Sequence, residues 1–172
     1  RQMCIRDRRI SESFDYPADV ETVFAMMTDE EFHARKCEAT HAVSHSESVT
    51  VTSTEATVVT VRELPTDGFP DFARSFVGES INVTETIIYG APHDDGSRVG
   101  DLKISMGTAP IGLVGTVTVA PIDEGTRVTV EGDLKARVPF IGGKVEEAAA
   151  PSVLSGIRKE RGVGLQWLSE RS

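Results

Sequence analysis

Residues 113–143, which read LVGTVTVAPI, DEG, TRVTVEGDLKARV and PFIGG in succession, decide the fold of this chain. Two β-type runs, 113–122 and 126–138, flank the turn signal at 123–125 and predict a β-hairpin. The hairpin leads directly into residues 141–168, where apolar residues recur at helical spacing. A hairpin followed by one long C-terminal helix predicts a curved antiparallel sheet that grips the helix, with room for a cavity between them.

The rest of the chain supplies the other elements of such a sheet. Residues 8–15 alternate as in a strand, and from residue 18 an apolar stripe at helical spacing predicts a first helix, followed by a second over 30–36. The β-rich runs 39–51, 54–64, 80–89 and 98–105 are separated by turn residues, with one short helical turn at 71–76. The order predicts an α+β fold with a curved antiparallel sheet of about seven strands, two short helices after strand 1 and a long C-terminal helix. Pro151 predicts a kink in that last helix.

Length and composition indicate an ordinary globular domain. The chain has 172 residues, 39% of them hydrophobic, and a formal net charge of −9. An acidic surface repels phosphate groups, so nucleic acid is not an expected partner. No apolar run approaches the roughly 20 residues that span a bilayer. The two cysteines do not make a disulfide framework, which favours a reducing cytoplasm, while the oligomeric state is left open.

The first seven residues, RQMCIRD, look like the translated remnant of a sequencing adapter rather than native sequence. We therefore expect residues 1–7 to be loosely packed and without function, and residues 8–172 to form a single domain.

Three further stretches carry a family resemblance. They are LP at 64–65 with PDFARSFVG at 70–78, GT at 115–116 with GTRV at 125–128, and VPFIGGKVE at 138–146. Together with the element order, they resemble the START-like (SRPBCC) superfamily of lipid-transfer, pollen-allergen-type and polyketide cyclase proteins. Within it, they resemble an uncharacterised actinobacterial domain-of-unknown-function family. The resemblance implies a helix-grip fold with an apolar cavity, and it implies no catalytic residues and no cofactor.

A cavity of this kind favours noncatalytic binding of a small hydrophobic ligand, such as a lipid or polyketide-like metabolite, for transport or sensing. The loop at 69–77 carries three phenylalanines between prolines and glycines, which suits either a hydrophobic lid or a plug at the end of the core. The candidate ligand-binding residues are in this loop, on inward strand positions and on the inner face of the C-terminal helix: Phe72, Phe76, Glu85, Val117, Val130, Leu154 and Ile157.

Glu85 is the one candidate whose direction the pattern leaves open. It lies between Val83 and Ile87 on one strand face, but the other face is also mixed. If Glu85 points inward, its carboxylate needs a partner such as Arg62 or a ligand. An enzyme of the cyclase or hydratase type is the first alternative, with Glu85 or His41 as acid or base. A protein–protein adaptor that uses the outer sheet face is the second.

Cys37, His41 and His45 recur every four residues, as zinc ligands on a helix would. The surrounding run 39–51 is β-type, however, and four residues along a strand span about 13 Å. On that assignment the three side chains cannot meet one metal ion, so no metal site is expected.

Overall fold

The computed structural model of the chain describes residues 8–171, apart from the side chain of Phe76. The expected N-terminal remnant, 1–7, and the expected lid side chain of Phe76 lie outside the described residues.

The described elements follow the predicted order and confirm the helix-grip fold. They are β1 (Arg8–Tyr16), α1 (Val20–Met27), α2 (Glu30–Ala39), β2 (Ser44–Val51), β3 (Ala56–Pro65), α3 (Asp71–Val77), β4 (Ser80–Tyr89), β5 (Arg98–Met106), β6 (Ile111–Ile122), β7 (Gly125–Ala136) and α4 (Gly142–Glu170).

The boundary between α2 and β2 differs from the prediction, and the difference changes where Cys37 and His45 lie. Helix α2 continues to Ala39, and β2 begins only at Ser44, so the predicted strand over 39–51 was wrong in its first five residues. The Thr40 hydroxyl donates to the Cys37 carbonyl oxygen (2.8 Å) and helps to end the helix. His41 follows with a φ of +62°, a left-handed conformation that turns the chain back towards the sheet.

Side-chain caps explain where the first two helices begin. The Asp19 carboxylate accepts from the Thr22 amide at 2.8 Å, and the Asp29 carboxylate accepts from the Glu31 amide at 2.8 Å. Each aspartate satisfies an N–H group that has no partner within the helix. These caps fix the first residues of α1 and α2.

The seven strands form one antiparallel sheet in the order β1-β7-β6-β5-β4-β3-β2. Its inner face carries the core; on β7, for example, Val128 and Leu134 are fully buried. Outward residues of the same strand meet charged neighbours, as Asp133 does with Arg9 at 3.3 Å. The alternation of the predicted hairpin therefore matches the face that each side chain takes.

Helix α4 packs against β1, β7 and α2. It approaches β1 closely at Gly164, where an added Cβ would lie 2.4 Å from the Tyr16 hydroxyl oxygen. That hydroxyl donates to the Glu160 carbonyl oxygen at 3.2 Å. Because the helix is held at the β1 side, a space is left between it and strands β3, β4 and β5.

Candidate ligand cavity

The space between α4 and strands β3–β5 is a cavity of about 430 Å³. Ligand pockets of proteins are typically about 300–1,000 Å³ and mostly apolar. Apolar side chains form most of the wall: Leu64, Phe69, Ile81, Val83, Ile104, Met106, Val153 and Ile157. Exposed residues form the rim: His41, Pro65, Pro151, Ser152, Ser155 and Lys159. The cavity therefore has an apolar body and an edge at the protein surface.

A buried ion cluster forms the polar part of the wall. The Lys36 ammonium nitrogen lies 2.8 Å from a carboxylate oxygen of Glu160 and 3.3 Å from one of Glu85. The three side chains are only 7%, 9% and 14% exposed, in the order Lys36, Glu160, Glu85. They come from α2, α4 and β4, so the cluster ties both helices to the sheet.

Lys36 and Glu85 are ionised at neutral pH because neighbouring opposite charges outweigh the cost of burial. Burial raises the pKa of Glu85, but Lys36 and Arg62 outweigh it, and the pKa falls from an ordinary 4.5 to about 2. Burial likewise disfavours the Lys36 ammonium, but Glu160 and Glu85 outweigh that cost and raise the pKa of Lys36 above its ordinary value. The cavity thus carries fixed charges of both signs.

Several polar atoms in and beside the cluster have no hydrogen-bond partner within the described part of the chain. Glu160 Oε2 and Arg62 Nε belong to residues that line the cavity, and the Tyr89 hydroxyl is buried close to Glu160. A buried polar atom without a partner costs about 1–3 kcal/mol. These atoms are therefore unsatisfied donors and acceptors beside the cavity, and a polar ligand group or water reaches them only after a shift of the side chains.

Two further titratable groups lie behind the cluster. Burial, assisted by Lys36, lowers the pKa of His33 to about 4, so its ring is neutral at pH 7. Its Nε2 lies 2.6 Å from the Met27 carbonyl oxygen, which only accepts, so Nε2 carries the proton. Burial, together with the charge of Glu160, raises the pKa of Tyr89 well above 10.0.

The structure brings some of the sequence candidates together. Glu85 points inward, on the same face as Val83 and Ile87, and its closest cation is Lys36 rather than Arg62. Glu85 and Ile157 line the main cavity. Val117 and Val130 line a smaller space of about 20 Å³ beneath it, together with Glu85 and Ile157.

Other candidates lie elsewhere. Phe72 is 37% exposed and carries the Lys144 ammonium 5.8 Å above its ring, outside the residues that line the cavity. Helix α3 turns Ala73 inward instead, and Phe69, which precedes that helix, lines the cavity. Leu154 faces a shallow surface groove with Arg158 on the other side of α4.

Lys36 and Glu160 are buried charged residues of the cavity that the sequence candidates did not include, whereas Arg62 was named as a partner for Glu85. The sequence contains a signal for both Lys36 and Glu160. Lys36 follows the buried Phe32 by four residues, and Glu160 follows Ile157 by three, so both charges occupy the apolar side of a helical repeat. A charged residue that is buried at such a position is expected to have a charged partner.

Cys37 and His45 are not separated by the length of a strand, as the predicted β-run over 39–51 implied. Because Cys37 lies in α2 and the chain reverses before Ser44, the Cys37 and His45 side chains approach each other across that turn. His41 lies instead at the exposed rim of the cavity.

Comparisons with known proteins agree with this architecture. A family model described as "Protein of unknown function (DUF2505)" matches residues 11–168. An uncharacterized protein of Mycobacterium tuberculosis is 26% identical over 170 residues, covering 94% of this chain and 97% of that protein.

Two solved structures share the fold at low sequence identity. The Zhui aromatase/cyclase from Streptomyces sp. R1128 matches with a TM-score of 0.54 and 11% identity, covering 93% of this chain and 90% of that one. A STAR-related lipid transfer protein from Xanthomonas axonopodis matches with a TM-score of 0.52 and 14% identity, covering 90% and 86%. The fold is therefore START-like. Among residues 8–171, no helix has the length and apolar composition to cross a membrane.

Proposed function

This chain belongs to the DUF2505 family, and we propose that it binds a small, uncharged, largely hydrophobic molecule in the cavity between α4 and strands β3–β5. The observation that carries the proposal is a mostly apolar space of about 430 Å³ that ends in a buried and charge-balanced polar cluster. Affinity comes from the apolar ligand surface removed from water, at about 25 cal/mol per Å². The polar cluster sets the orientation of the ligand.

The charges of the cavity favour a ligand without net charge. Lys36 and Arg62 are balanced by Glu85 and Glu160, so an added charge of either sign loses its hydration next to a charge of the same sign. A hydroxyl group meets no such penalty. Arg62 Nε and Glu160 Oε2, which lack partners within the described chain, are the donor and the acceptor that we propose for such a group.

The proposed ligand class is a lipid or a polyketide-like metabolite that bears a hydroxyl or carbonyl group. The names of the two related folds support this class, because one is a lipid transfer protein and the other an aromatase/cyclase. Transport or sensing of such a molecule requires only that it be bound and released.

Binding is favoured over acid–base catalysis by the state of the buried groups. A general acid or base works best with a pKa near the working pH. Glu85, with a pKa of about 2, is a poor base at pH 7, and neither His33, with a pKa of about 4, nor Tyr89, well above 10.0, changes protonation there. His41, the other candidate of a cyclase or hydratase, is an exposed rim residue.

An adaptor that uses the outer sheet face is also less favoured. Large apolar residues are exposed there on neighbouring strands, but their cross-strand neighbours are polar. Ile88 pairs with Asp101, and Val114 pairs with both Lys103 and Asp133. Contiguous apolar surface is what marks an interaction site, and these pairs interrupt it.

Replacement of Gly156 by leucine tests the cavity directly. Gly156 lies on the α4 wall, and a Cβ added there meets only Arg62 Nη2, at 3.8 Å, so the larger side chain has room in the cavity. We expect Gly156→Leu to weaken binding of the uncharged apolar dye Nile red by about tenfold or more, a loss of about 1.4 kcal/mol. Fluorescence titration measures the dissociation constant, and native mass spectrometry of the purified wild type detects a copurifying ligand.

Gly162→Leu is the matched control, because Gly162 lies on the same helix with nothing within 4 Å of an added Cβ. Both changes replace a helical glycine, so both raise helix propensity, and only one fills the cavity. Two results contradict the proposal. One is equal Nile red affinity in the two variants. The other is a wild-type protein that carries no copurifying ligand and does not bind the dye stoichiometrically.

A further inference from the structure

A second group of chemically active side chains lies outside the cavity, where α2 meets strand β2. Cys37 is on the last turns of α2, and His45 and Glu47 are two residues apart on β2, which places them on the same strand face. One ligand atom from each of these three residues lies within 4.8 Å of the other two. A thiol, an imidazole and a carboxylate thus converge from two elements on one point.

We propose that Cys37, His45 and Glu47 form a zinc-binding site with a water molecule as the fourth ligand. Zinc is four-coordinate and takes sulfur, nitrogen and oxygen ligands with bonds of about 2.0–2.3 Å, so ligand atoms around it lie about 3.5 Å apart. The three ligand atoms lie within 4.8 Å of one another, so rotation of the side chains has to move them by only about 1 Å to reach this spacing. The proposal is independent of what the cavity binds.

Burial supports a built site rather than a chance surface cluster. Cys37 is fully buried, and the side chains of His45 and Glu47 are 22% and 13% exposed. The position of Cys37 is fixed by the turn that follows it, because its carbonyl oxygen accepts from the Ala42 amide at 3.2 Å. The Val43 amide donates to the Glu63 carbonyl oxygen at 2.9 Å and seats the start of β2 on β3.

The two ring nitrogens of His45 face different carboxylates. Nδ1 lies 2.5 Å from Glu47 Oε2, and Nε2 lies 3.6 Å from Glu38 Oε2. In metal sites, a histidine ligand commonly binds the ion with one nitrogen and donates the N–H of the other to a carboxylate. Here Nδ1 is on the side of Glu47, where we place the zinc ion. Glu38 lies beyond hydrogen-bond distance of Nε2 and is the carboxylate that we expect to orient the ring after a small side-chain shift.

Neighbouring charges are compatible with a divalent cation. Burial raises the pKa of the Cys37 thiol, and the charges of Arg62 and Lys36 only partly offset it, so zinc binding has to displace the thiol proton. Lys36 is already paired with Glu85 and Glu160. The carboxylates of Glu47 and Glu38, and the thiolate that Cys37 becomes when zinc is bound, outnumber the positive charge of Arg62. The site therefore has net negative charge for a divalent cation.

A zinc ion at this point ties an edge strand to a helix. β2 is the last strand of the sheet and pairs only with β3 within the described chain. Because a ligand that binds only the folded state stabilises it, zinc raises the melting temperature of the metal-free protein.

The test is a titration of the chelator-treated full chain with zinc chloride by isothermal calorimetry, and a parallel titration with cobalt(II). We expect one metal ion per chain and a near-ultraviolet thiolate-to-cobalt charge-transfer band. Cys37→Ser abolishes the band, and His45→Gln and Glu47→Gln weaken zinc binding strongly. Glu38→Gln lowers zinc affinity by about 10- to 100-fold, as expected for an outer carboxylate.

Two substitutions serve as controls. Cys4→Ser removes the chain's other thiol, and His93→Gln removes an exposed histidine of the β4–β5 loop; both variants keep zinc affinity and the cobalt band. Circular dichroism of each metal-free variant checks folding. If Cys37→Ser does not fold, His45→Gln, at a partly exposed strand position, decides the question. No stoichiometric zinc binding by the wild type, or binding that survives both Cys37→Ser and His45→Gln, overturns the proposal.

Discussion

Replacement of Lys36 by methionine is expected to lower the free energy of unfolding by about 3–5 kcal/mol. The substitution keeps the length of the side chain but removes the ammonium that lies 2.8 Å from Glu160 and 3.3 Å from Glu85. Two buried carboxylates then face each other without their shared cation. Loss of one partner of a buried pair costs more than the pair itself contributes, because the remaining carboxylates are shielded from water and keep only Arg62 as a nearby fixed cation.

The same substitution is expected to change how stability depends on pH. In the wild type, the folded-state pKa of Glu85 is about 2, below the ordinary 4.5 of the unfolded chain. Its contribution to stability is therefore complete above pH 4.5 and is lost as the pH falls towards 2. In Lys36→Met, burial acts on Glu85 without that cation and raises the pKa. The variant then regains part of its lost stability as the pH falls from 7 towards 5.

Urea unfolding at pH 7 and pH 5 measures both effects. Arg158→Met is the control, because Arg158 also pairs α4 with a glutamate, Glu12 at 3.1 Å, but is 62% exposed. An exposed ion pair contributes about 1 kcal/mol or less. The assignment of a buried ion cluster is contradicted if Lys36→Met is no less stable than Arg158→Met, or if its deficit does not shrink at pH 5.

Replacement of Gly115 by alanine is expected to destabilise the protein by about 3 kcal/mol or more. Gly115 of β6 pairs directly with Gly132 of β7. An added Cβ at Gly115 would lie 1.8 Å from the Glu131 carbonyl oxygen and 2.4 Å from the Gly132 Cα. The obstructing atoms belong to the backbone, so no side-chain rotation relieves the clash. The two strands have to separate, and their ladder of hydrogen bonds weakens.

Gly162→Ala is the control, and we expect it to raise the free energy of unfolding. Gly162 lies in α4 with nothing within 4 Å of an added Cβ, and glycine in a helix interior is about 1 kcal/mol less favourable than alanine. Urea denaturation should therefore show a less stable Gly115→Ala and a more stable Gly162→Ala. If Gly115→Ala is as stable as the wild type, β6 and β7 are further apart at this position than in the structure.

The hairpin and the long helix were predictable because their signals are local. The turn at 123–125 separates two β-type runs, and the structure places β6 at Ile111–Ile122 and β7 at Gly125–Ala136. The start of β2 was not predictable in the same way. Residues 39–43 have no strong period, and the end of α2 depends on backbone hydrogen bonds to Cys37 and on the left-handed conformation of His41.

The candidate site was only partly predictable. Glu85 had an undecided direction because both faces of its strand are mixed, and its inward direction follows from its partners. Lys36 and Glu85 are 49 residues apart in sequence, and Glu160 is further away still. Phe72 was a reasonable lid residue by composition, yet helix α3 turns it towards Lys144, and Phe69 takes the place at the cavity.

The sequence by itself determined the order and type of the elements, because repeats of 2 and 3.6 residues specify which face of each strand and helix is apolar. The START-like fold followed from that order together with the resemblance of three sequence stretches to a known family. Only the tertiary structure decided the chemistry. It brought Lys36, Glu85 and Glu160 within hydrogen-bond distance, and it carried Cys37 across a turn to His45 and Glu47. Charged groups interact through space over a few ångströms, and that separation depends on how α2 and α4 lie on the sheet, which no local pattern encodes.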